Sequence, residues 1–211
     1  MAHPNPDFFA VLGGVRRPWL DVDELKERFL RLSAACHPDR FHGAAPEERA
    51  AAERRSTELN SAYQALREVR TRLLHLLELE SGAKPRDVQR IPPGTMELFV
   101  EVGQTCREAD AFLAERGRVT SPMLRVRLFE QGLDWTGRLQ GLLGRIREKG
   151  VALEAELRGM DEAWAAAPAP GDPVRPAALP LGRLEEIYRV LSYVARWTEQ
   201  VQERLVQLAA V

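Results

Sequence analysis

The feature that most restricts the fold of this chain is a break between two amphipathic stretches, at residues 36–41. Apolar residues before the break are spaced as on one face of a helix, at Leu25, Phe29, Leu32 and Cys36. Pro38 lacks an N–H and disfavours helical geometry at the residue before it, so this helix is expected to end near His37. The break then presents an imidazole, a rigid ring and the carboxylate of Asp39 side by side in a short exposed loop.

A second amphipathic helix is predicted to begin at Pro46, because a proline followed by two acids suits the first turn of a helix. The segment between the two helices is short, so the helices are expected to lie antiparallel and to bury Phe29 against Tyr63. A short helix at 8–12 is expected to cover the open side of this pair. A further helix is predicted at 69–79.

Prolines and glycines without any periodicity follow these helices, which indicates a link between two domains. The predicted division is a first domain at 1–80, a linker at 81–94 and a second domain at 95–211. No stretch of the chain has the alternating pattern of a strand, so the predicted fold class is all-α.

The second domain is predicted to be an antiparallel bundle of three helices. Its first helix is expected to start at Thr95 and to end at Gly117. The second opens at Ser121-Pro122, and its apolar spacing of three and four continues past Gly150 as far as Trp164. The last helix, near 184–208, has the most regular apolar seam in the chain. A proline-rich segment at 165–180 lies before it and is expected to be a loop or a mobile insertion.

Composition and charge exclude several classes of function. The 30 basic and 31 acidic side chains leave a net charge of −1, so no overall field draws the chain to nucleic acid or to an anionic membrane. No apolar run approaches the ~20 residues that span a bilayer. The first six residues have neither a basic start nor an apolar core, so no signal peptide is expected. Two cysteines give no disulfide framework, and a cytoplasmic location is expected.

The residues give no support to an enzyme. There is no glycine-rich phosphate loop, no cluster of metal ligands and no nucleophile placed beside a base. The adjacent pair Cys36-His37 does not predict a metal site, because Cys36 belongs to the apolar stripe and neighbouring helical side chains diverge. Cys106 is expected to be a small core residue. We therefore expect no catalytic residues, no metal and no cofactor.

The order of helix, His37-Pro38-Asp39 and helix, after a short helix starting Asp7-Phe8-Phe9, resembles a J-domain. J-domains are the modules by which co-chaperones stimulate a seventy-kilodalton heat-shock ATPase. The run Leu59-Asn60-Ser61-Ala62-Tyr63-Gln64-Ala65-Leu66, followed by Arg72 and Leu76-Leu77, is similar to the HscB-type co-chaperones of iron–sulfur cluster assembly. In that family the J-domain precedes a three-helix bundle that binds the scaffold protein IscU.

The resemblance implies that the break between the helices binds the chaperone. Asp39 would accept charge-assisted hydrogen bonds from an arginine of the ATPase, with His37 beside it and Pro38 fixing both. Nearby cations would steer the domain to an acidic surface, and the implied chaperone-binding set is His37, Pro38, Asp39, Lys26, Arg28, Arg31 and Arg40. The residues alone also allow a plain helix stop, with Asp39 capping a turn and the cations forming a solvated face.

The resemblance also implies a surface that binds the scaffold protein. Leu98-Phe99-Val100-Glu101 is similar to the scaffold-facing motif of the family, and the final helix aligns from Tyr188 to Leu205. The implied scaffold-binding residues form an apolar groove with an acidic rim: Phe99, Val100, Glu101, Gly103 and Tyr193. Gly103 and Gln104 stand where the family tends to have a leucine and a glutamate, which would thin the groove and its rim. The alternative is ordinary burial of these residues under the linker.

Three functions follow from these patterns. The first is a co-chaperone of the HscB type, which stimulates the ATPase of an HscA- or DnaK-like chaperone and delivers IscU to it. A second keeps the J-domain but gives the bundle a different client protein. A third is a structural helical adaptor with an inactive J-like domain. ATPase stimulation separates the first two functions from the third, and binding of the scaffold protein separates the first from the second.

Overall fold

The computed structural model describes residues 6–85, 91–92 and 94–210, except for the side chain of Pro38. The chain forms two compact units: unit 1 comprises 1–87 and 156–188, and unit 2 comprises 88–155 and 189–211. The predicted domains assign 156–188 to the second domain instead, and that division stays a prediction. Residues 86–90 and 93 of the predicted linker lie outside the described residues. Residues 1–5 also lie outside the described residues, and the expectation that the chain has no signal peptide concerns them.

Every regular element in the described part of the chain is helical, which confirms the predicted all-α fold class. The helices are α1 (Phe8–Val11), α2 (Val22–Ala35), α3 (Pro46–Arg67), α4 (Val69–Ser81), α5 (Met96–Arg118), α6 (Pro122–Gly159), α7 (Asp161–Ala166), α8 (Arg175–Ala178) and α9 (Leu181–Ala209). A single turn of 3₁₀ helix, Pro38–Phe41, lies between α2 and α3. None of the helices in the described ranges is both long and apolar enough to cross a bilayer.

Local signals set the ends of the helices in unit 1. The Asp7 carboxylate accepts hydrogen bonds from the backbone N–H groups of Phe9 and Ala10, and Asp21 does the same at the start of α2. Gly82 ends α4 with a φ of +74°, in the left-handed region that favours glycine. These residues explain why the helices begin and end close to where the sequence predicts.

The core of unit 1 forms where α2 packs on α3. The rings of Phe29 and Tyr63 stack with centroids 4.4 Å apart, as predicted. Phe9 and Leu12 are buried, so the short first helix covers this pair as expected. Arg72 is buried as well, and its guanidinium donates to the carbonyl oxygens of Pro18 and Leu66 at 3.0 and 2.9 Å.

The proline-rich segment 165–180 is irregular over most of its length but is not a simple loop. It includes the short helix α8, and Arg175 of that helix is buried. The guanidinium of Arg175 donates twice to the Glu80 carboxylate, at 2.8 Å each. Just before the segment, α6 passes Gly150 without ending, as predicted, but it stops at Gly159, and Trp164 belongs to α7. Trp164 is buried, as expected of a seam residue, but it belongs to a separate helix, so α6 ends earlier than predicted.

Unit 2 is built on α5, most of α6 and the second half of α9. Its core contains the predicted seam residues of all three helices, among them Val102, Ala109, Leu139, Leu142, Ile146 and Val201. Thr95 precedes α5, but its hydroxyl donates to the carbonyl of Pro92 at 2.6 Å and makes no cap bond to the helix. Gly117 does not end α5, which continues to Arg118.

Candidate functional site

The break between α2 and α3 projects two polar side chains into solvent. The backbone of His37 is extended, with φ −62° and ψ 131°, as expected for a residue before proline. The exposed fraction is 56% for the His37 side chain and 91% for that of Asp39. We call residues 37–40 the tip. The side chain of Pro38 is not among those that the structure describes.

Hydrogen bonds within the tip orient its side chains. The backbone N–H of Asp39 donates to Nδ1 of His37 at 3.3 Å, and the N–H of Arg40 donates to the His37 carbonyl at 3.0 Å. Because Nδ1 accepts, the proton of the neutral imidazole belongs on Nε2, where it can be donated outward. Oδ2 of Asp39 lies 3.6 Å from Nδ1 of His37, so the imidazole ring and the carboxylate stand side by side.

The base of the tip is fixed to the end of α2. Nη1 of Arg40 donates to the carbonyl of Ala34 at 3.2 Å, which satisfies one of the free carbonyls in the last turn of the helix. Cys36 is buried, as predicted for a residue of the apolar stripe, and its N–H donates to Ser33. Arg40 therefore supports the tip from behind while its side chain stays exposed.

The three cations of α2, Lys26, Arg28 and Arg31, do not share one face of the helix. Lys26 and Arg31 are exposed, whereas Arg28 is half-buried in a cavity of about 240 Å³ lined by Gly14 and Trp19. At about 100° per residue, Lys26 and Arg28 lie about 160° apart around the helix, one on each flank of its buried face. Among the described contacts of the four predicted cations, the hydrogen bond from Arg40 to Ala34 is the one that joins the tip to the last turn of α2.

In unit 2 the structure brings two residues of the predicted groove together in a partly exposed aromatic cluster. The rings of Phe99 on α5 and Tyr193 on α9 meet edge to face with centroids 6.4 Å apart. Trp197 is buried beneath them, 6.5 Å from Phe99 and 5.5 Å from Tyr193. Val100 and Met96 are exposed on the same side of α5. Met96 is not among the predicted residues, although it lies one helical turn before Val100 and could have been found by that spacing.

Two predicted members of the groove behave differently from each other. Gly103 shares the face of Phe99 and Val100, and a Cβ placed there would meet only Nη1 of Arg107, at 3.5 Å. The glycine therefore leaves the face of α5 beside Phe99 and Val100 uncovered by a side chain of its own. Glu101 lies about 100° further around α5 than Val100 and pairs with Arg145 of α6. The Glu101 carboxylate is thus paired with α6, and its place on the rim of the groove stays a prediction.

Two other titratable side chains, His75 and Cys106, have structural roles. Nε2 of His75 accepts from the N–H of Phe8 at 3.1 Å, and burial lowers the pKa of this histidine. Cys106 is buried, and burial raises the pKa of its thiol. Within the described residues there is no group of three or more His, Cys, Asp or Glu side chains that could hold a metal ion.

Comparison with known proteins gives the following relatives. No family model matches the chain. The iron-sulfur cluster co-chaperone protein HscB of Mus musculus is 34% identical over 77 residues, which are 36% of this chain and 33% of the mouse protein. The chain thus matches about a third of the length of this curated relative.

Two solved structures share the fold over nearly the whole chain. Chaperone HscB from Vibrio cholerae has a TM-score of 0.56 and 20% identity, covering 96% of this chain and 99% of that one. The human co-chaperone protein HscB has a TM-score of 0.57 and 18% identity, covering 95% and 82%. The predicted resemblance is thereby confirmed: this chain is similar to HscB-type co-chaperones, in sequence over about a third of its length and in fold over almost all of it.

Proposed function

We propose that the chain is a co-chaperone of iron–sulfur cluster assembly. Through its tip it would stimulate the ATPase of a seventy-kilodalton heat-shock chaperone of the HscA or DnaK type. Through unit 2 it would bind the scaffold protein IscU and deliver it to that chaperone. The chemistry of ATP hydrolysis would belong to the partner, with this chain as its activator. The two cysteines are free and buried, which supports a reducing cytoplasmic setting.

The observation that carries the proposal is the exposed Asp39 carboxylate. Its oxygens are open to a partner, and its backbone N–H is held by a hydrogen bond to Nδ1 of His37. A charge-assisted hydrogen bond from an arginine or lysine of the partner is stronger than a neutral one. Because the tip is ordered before binding, little conformational entropy is lost on docking. His37 can add a second hydrogen bond through Nε2.

The proposed chaperone contact can be tested with Asp39→Asn. The substitution keeps the shape of the side chain and removes its charge, so stimulation of the chaperone ATPase should fall to the basal rate. Because Asp39 is exposed, the free energy of unfolding should change by less than about 0.5 kcal/mol. Glu53→Gln removes an exposed charge from α3 and serves as the matched control. Undiminished stimulation by the Asp39 variant would show that the tip has no role.

The scaffold contact is proposed to involve Phe99, Val100, Gly103 and Tyr193, with Glu101 at the flank held by Arg145. Val100→Ser should weaken binding of IscU to the full chain by about 10-fold, since apolar anchors carry much of an interface's affinity. Val206→Ser changes another exposed valine, on α9, and should bind as the wild type does. Calorimetric titration of the three proteins measures this difference.

The same measurements separate the alternatives. A chain that stimulates the chaperone but does not bind IscU would be a J-domain co-chaperone of another client. A chain that does neither would be a structural adaptor. Equal affinities of the Val100 and Val206 variants would place the scaffold contact elsewhere on the molecule.

A further inference from the structure

A leucine on α2 is exposed beside the tip. Leu30 has 54% of its surface accessible, although α2 already buries an apolar stripe on another face. Lys26 and Ala34 lie one turn before and one turn after it, and residues four apart on a helix are neighbours on one face. All three are exposed. They form a strip along the outside of α2, which we call the Leu30 strip.

The Leu30 strip leads directly to the tip. The carbonyl of Ala34 accepts the hydrogen bond from Nη1 of Arg40 at 3.2 Å, so the guanidinium of Arg40 lies where the strip ends. Leu30 is one turn from Ala34 and one turn from Lys26. The leucine therefore sits between two cations, on a surface continuous with the residues that carry the proposed function. Arg31 is a further 100° or so around the helix, and Arg28 lies beyond it.

A single exposed leucine is common on protein surfaces and needs no explanation by itself. The position of Leu30 is what gives it a role. Flanking cations attract an acidic surface over a distance, but each such contact adds little affinity because it is solvated and screened by salt. An apolar side chain at the centre of the same surface loses its hydration on contact and adds affinity that salt does not screen.

We propose that Leu30 is the apolar anchor of the chaperone-binding surface, flanked by Lys26 and Arg40 and continuous with the tip. The partner surface that fits it is acidic, with a shallow apolar depression one to two helical turns from the group that binds Asp39. This inference rests on the proposed function, since it assumes that the tip engages the ATPase. The two residues are assigned different roles. Asp39 triggers hydrolysis, whereas Leu30 sets the concentration at which the chain binds.

The test is a titration of ATPase stimulation with the full chain. Leu30→Ser should raise the half-saturating concentration by about 10-fold and leave the maximal rate unchanged, because the trigger is intact. Val174→Ser replaces another exposed apolar residue of unit 1, far along the chain from the tip, and should behave as wild type. Leu30→Met keeps an apolar side chain and should retain wild-type affinity.

Salt separates the leucine from its cationic neighbours. Lys26→Ala should lose much of its effect on the half-saturating concentration when the ionic strength is raised, whereas the effect of Leu30→Ser should persist. Circular dichroism and thermal unfolding of each variant show whether the helices are retained.

The outcomes distinguish this inference from the proposed function. If Asp39→Asn abolishes stimulation and Leu30→Ser titrates like the wild type, the Leu30 anchor is overturned and the proposed function stands. If Leu30→Met is as weak as Leu30→Ser, the effect is not apolar contact and the inference also fails. If Asp39→Asn stimulates normally, the proposed function fails, and with it the reason for an anchor at this place.

Discussion

At the scale of single residues, His75 ties the short helix α1 to α4. Its Nε2 accepts from the N–H of Phe8 at 3.1 Å, and its ring stacks on that of Phe8 with centroids 4.5 Å apart. A nitrogen that accepts a hydrogen bond must be unprotonated, so this contact requires the neutral imidazole. Burial lowers the pKa of His75, while Asp7 and Glu78 act against the shift and Arg16 adds to it.

We expect this histidine to make stability depend on pH. Since the pKa of His75 in the folded chain lies below its ordinary value of about 6.5, the unfolded chain takes up the proton first as the pH falls. The contribution of His75 is therefore complete above about pH 6.5 and declines below it. The free energy of unfolding should drop more between about pH 7.5 and 5.5 for the wild type than for His75→Gln, which keeps an acceptor that does not titrate. Equal drops would rule out this role.

Arg116 closes the end of another helix. Its guanidinium donates to the carbonyl oxygens of Leu208, Gln207 and Ala210, at 2.9, 2.8 and 3.0 Å. These carbonyls lie at the end of α9, where the helix has no N–H groups of its own to offer. A cation there also interacts favourably with the negative end of the helix dipole.

Arg116→Gln should therefore lower the free energy of unfolding by about 1 to 3 kcal/mol in urea titrations. Arg118→Gln removes the same charge from an exposed position at the same end of α5 and should change it by less than about 0.5 kcal/mol. Similar values for the two variants would mean that the loss is one of net charge and that the three hydrogen bonds contribute nothing.

At the scale of helices, α6 continues through a glycine that the sequence placed inside its seam. Gly150 is buried, and a Cβ there would meet Cγ1 of Val194 at 3.6 Å, an ordinary van der Waals contact. Gly150→Ala should therefore raise the free energy of unfolding by about 0.5 to 1 kcal/mol, because alanine loses less backbone entropy in a helix. Thermal unfolding measures the gain.

Gly82→Ala is the opposite case on the same chain. It has open space around it but a φ of +74°, so the added Cβ strains the backbone at the end of α4. This variant should be destabilised by about 1 kcal/mol. If both glycine variants shift stability in the same direction, backbone conformation is not what separates them.

Most helix starts could be predicted because their signals are local. Asp7 and Asp21 bind N–H groups two and three residues away, so sequence proximity is enough to find them. Helix ends are less local. Gly117 carries a conventional stop signal, and α5 ends one residue after it, at Arg118.

The residues of the candidate sites also differ in whether a local sequence signal predicts them. The tip follows from Pro38 and its neighbours, and Phe99 and Tyr193 follow from an apolar residue one step off each seam. Glu101 is predicted beside them from its place in the motif Leu98-Phe99-Val100-Glu101, and adjacent helical residues point about 100° apart. Only the packing of α6 on α5 shows that Glu101 faces Arg145.

At the scale of the whole molecule, unit 1 combines the start of the chain with residues 156–188. Its most buried ion pair joins these parts: Glu80 of α4 and Arg175 of α8, with 1% and 5% of their side chains exposed. The hydrogen bond to Glu80 raises the pKa of the Arg175 guanidinium, which therefore stays charged. No local pattern could reveal this pair, because its members are 95 residues apart in sequence.

Removing one partner of a buried pair leaves the other charge unsolvated, so Arg175→Met should lower the free energy of unfolding by about 3 kcal/mol. Arg16, 3.7 Å from Glu80, offsets only part of this loss. The double variant Arg175→Met with Glu80→Gln should regain stability relative to Arg175→Met, since the uncompensated carboxylate is gone. A double-mutant cycle in urea gives the coupling energy. Additive effects would show that the pair is not coupled.

The same pair predicts how the fragment 1–87 behaves when it is made alone. The fragment lacks Arg175, and in it the carboxylate of Glu80 can return to water. Glu80→Gln should then cost about 2 to 3 kcal/mol in the full chain, where it breaks two charge-assisted hydrogen bonds, but almost nothing in the fragment. Urea unfolding of the four proteins decides the matter. An equal cost in both backgrounds would mean that Glu80 is needed by the N-terminal helices themselves, and that residues 156–188 add no stability to unit 1 through this pair.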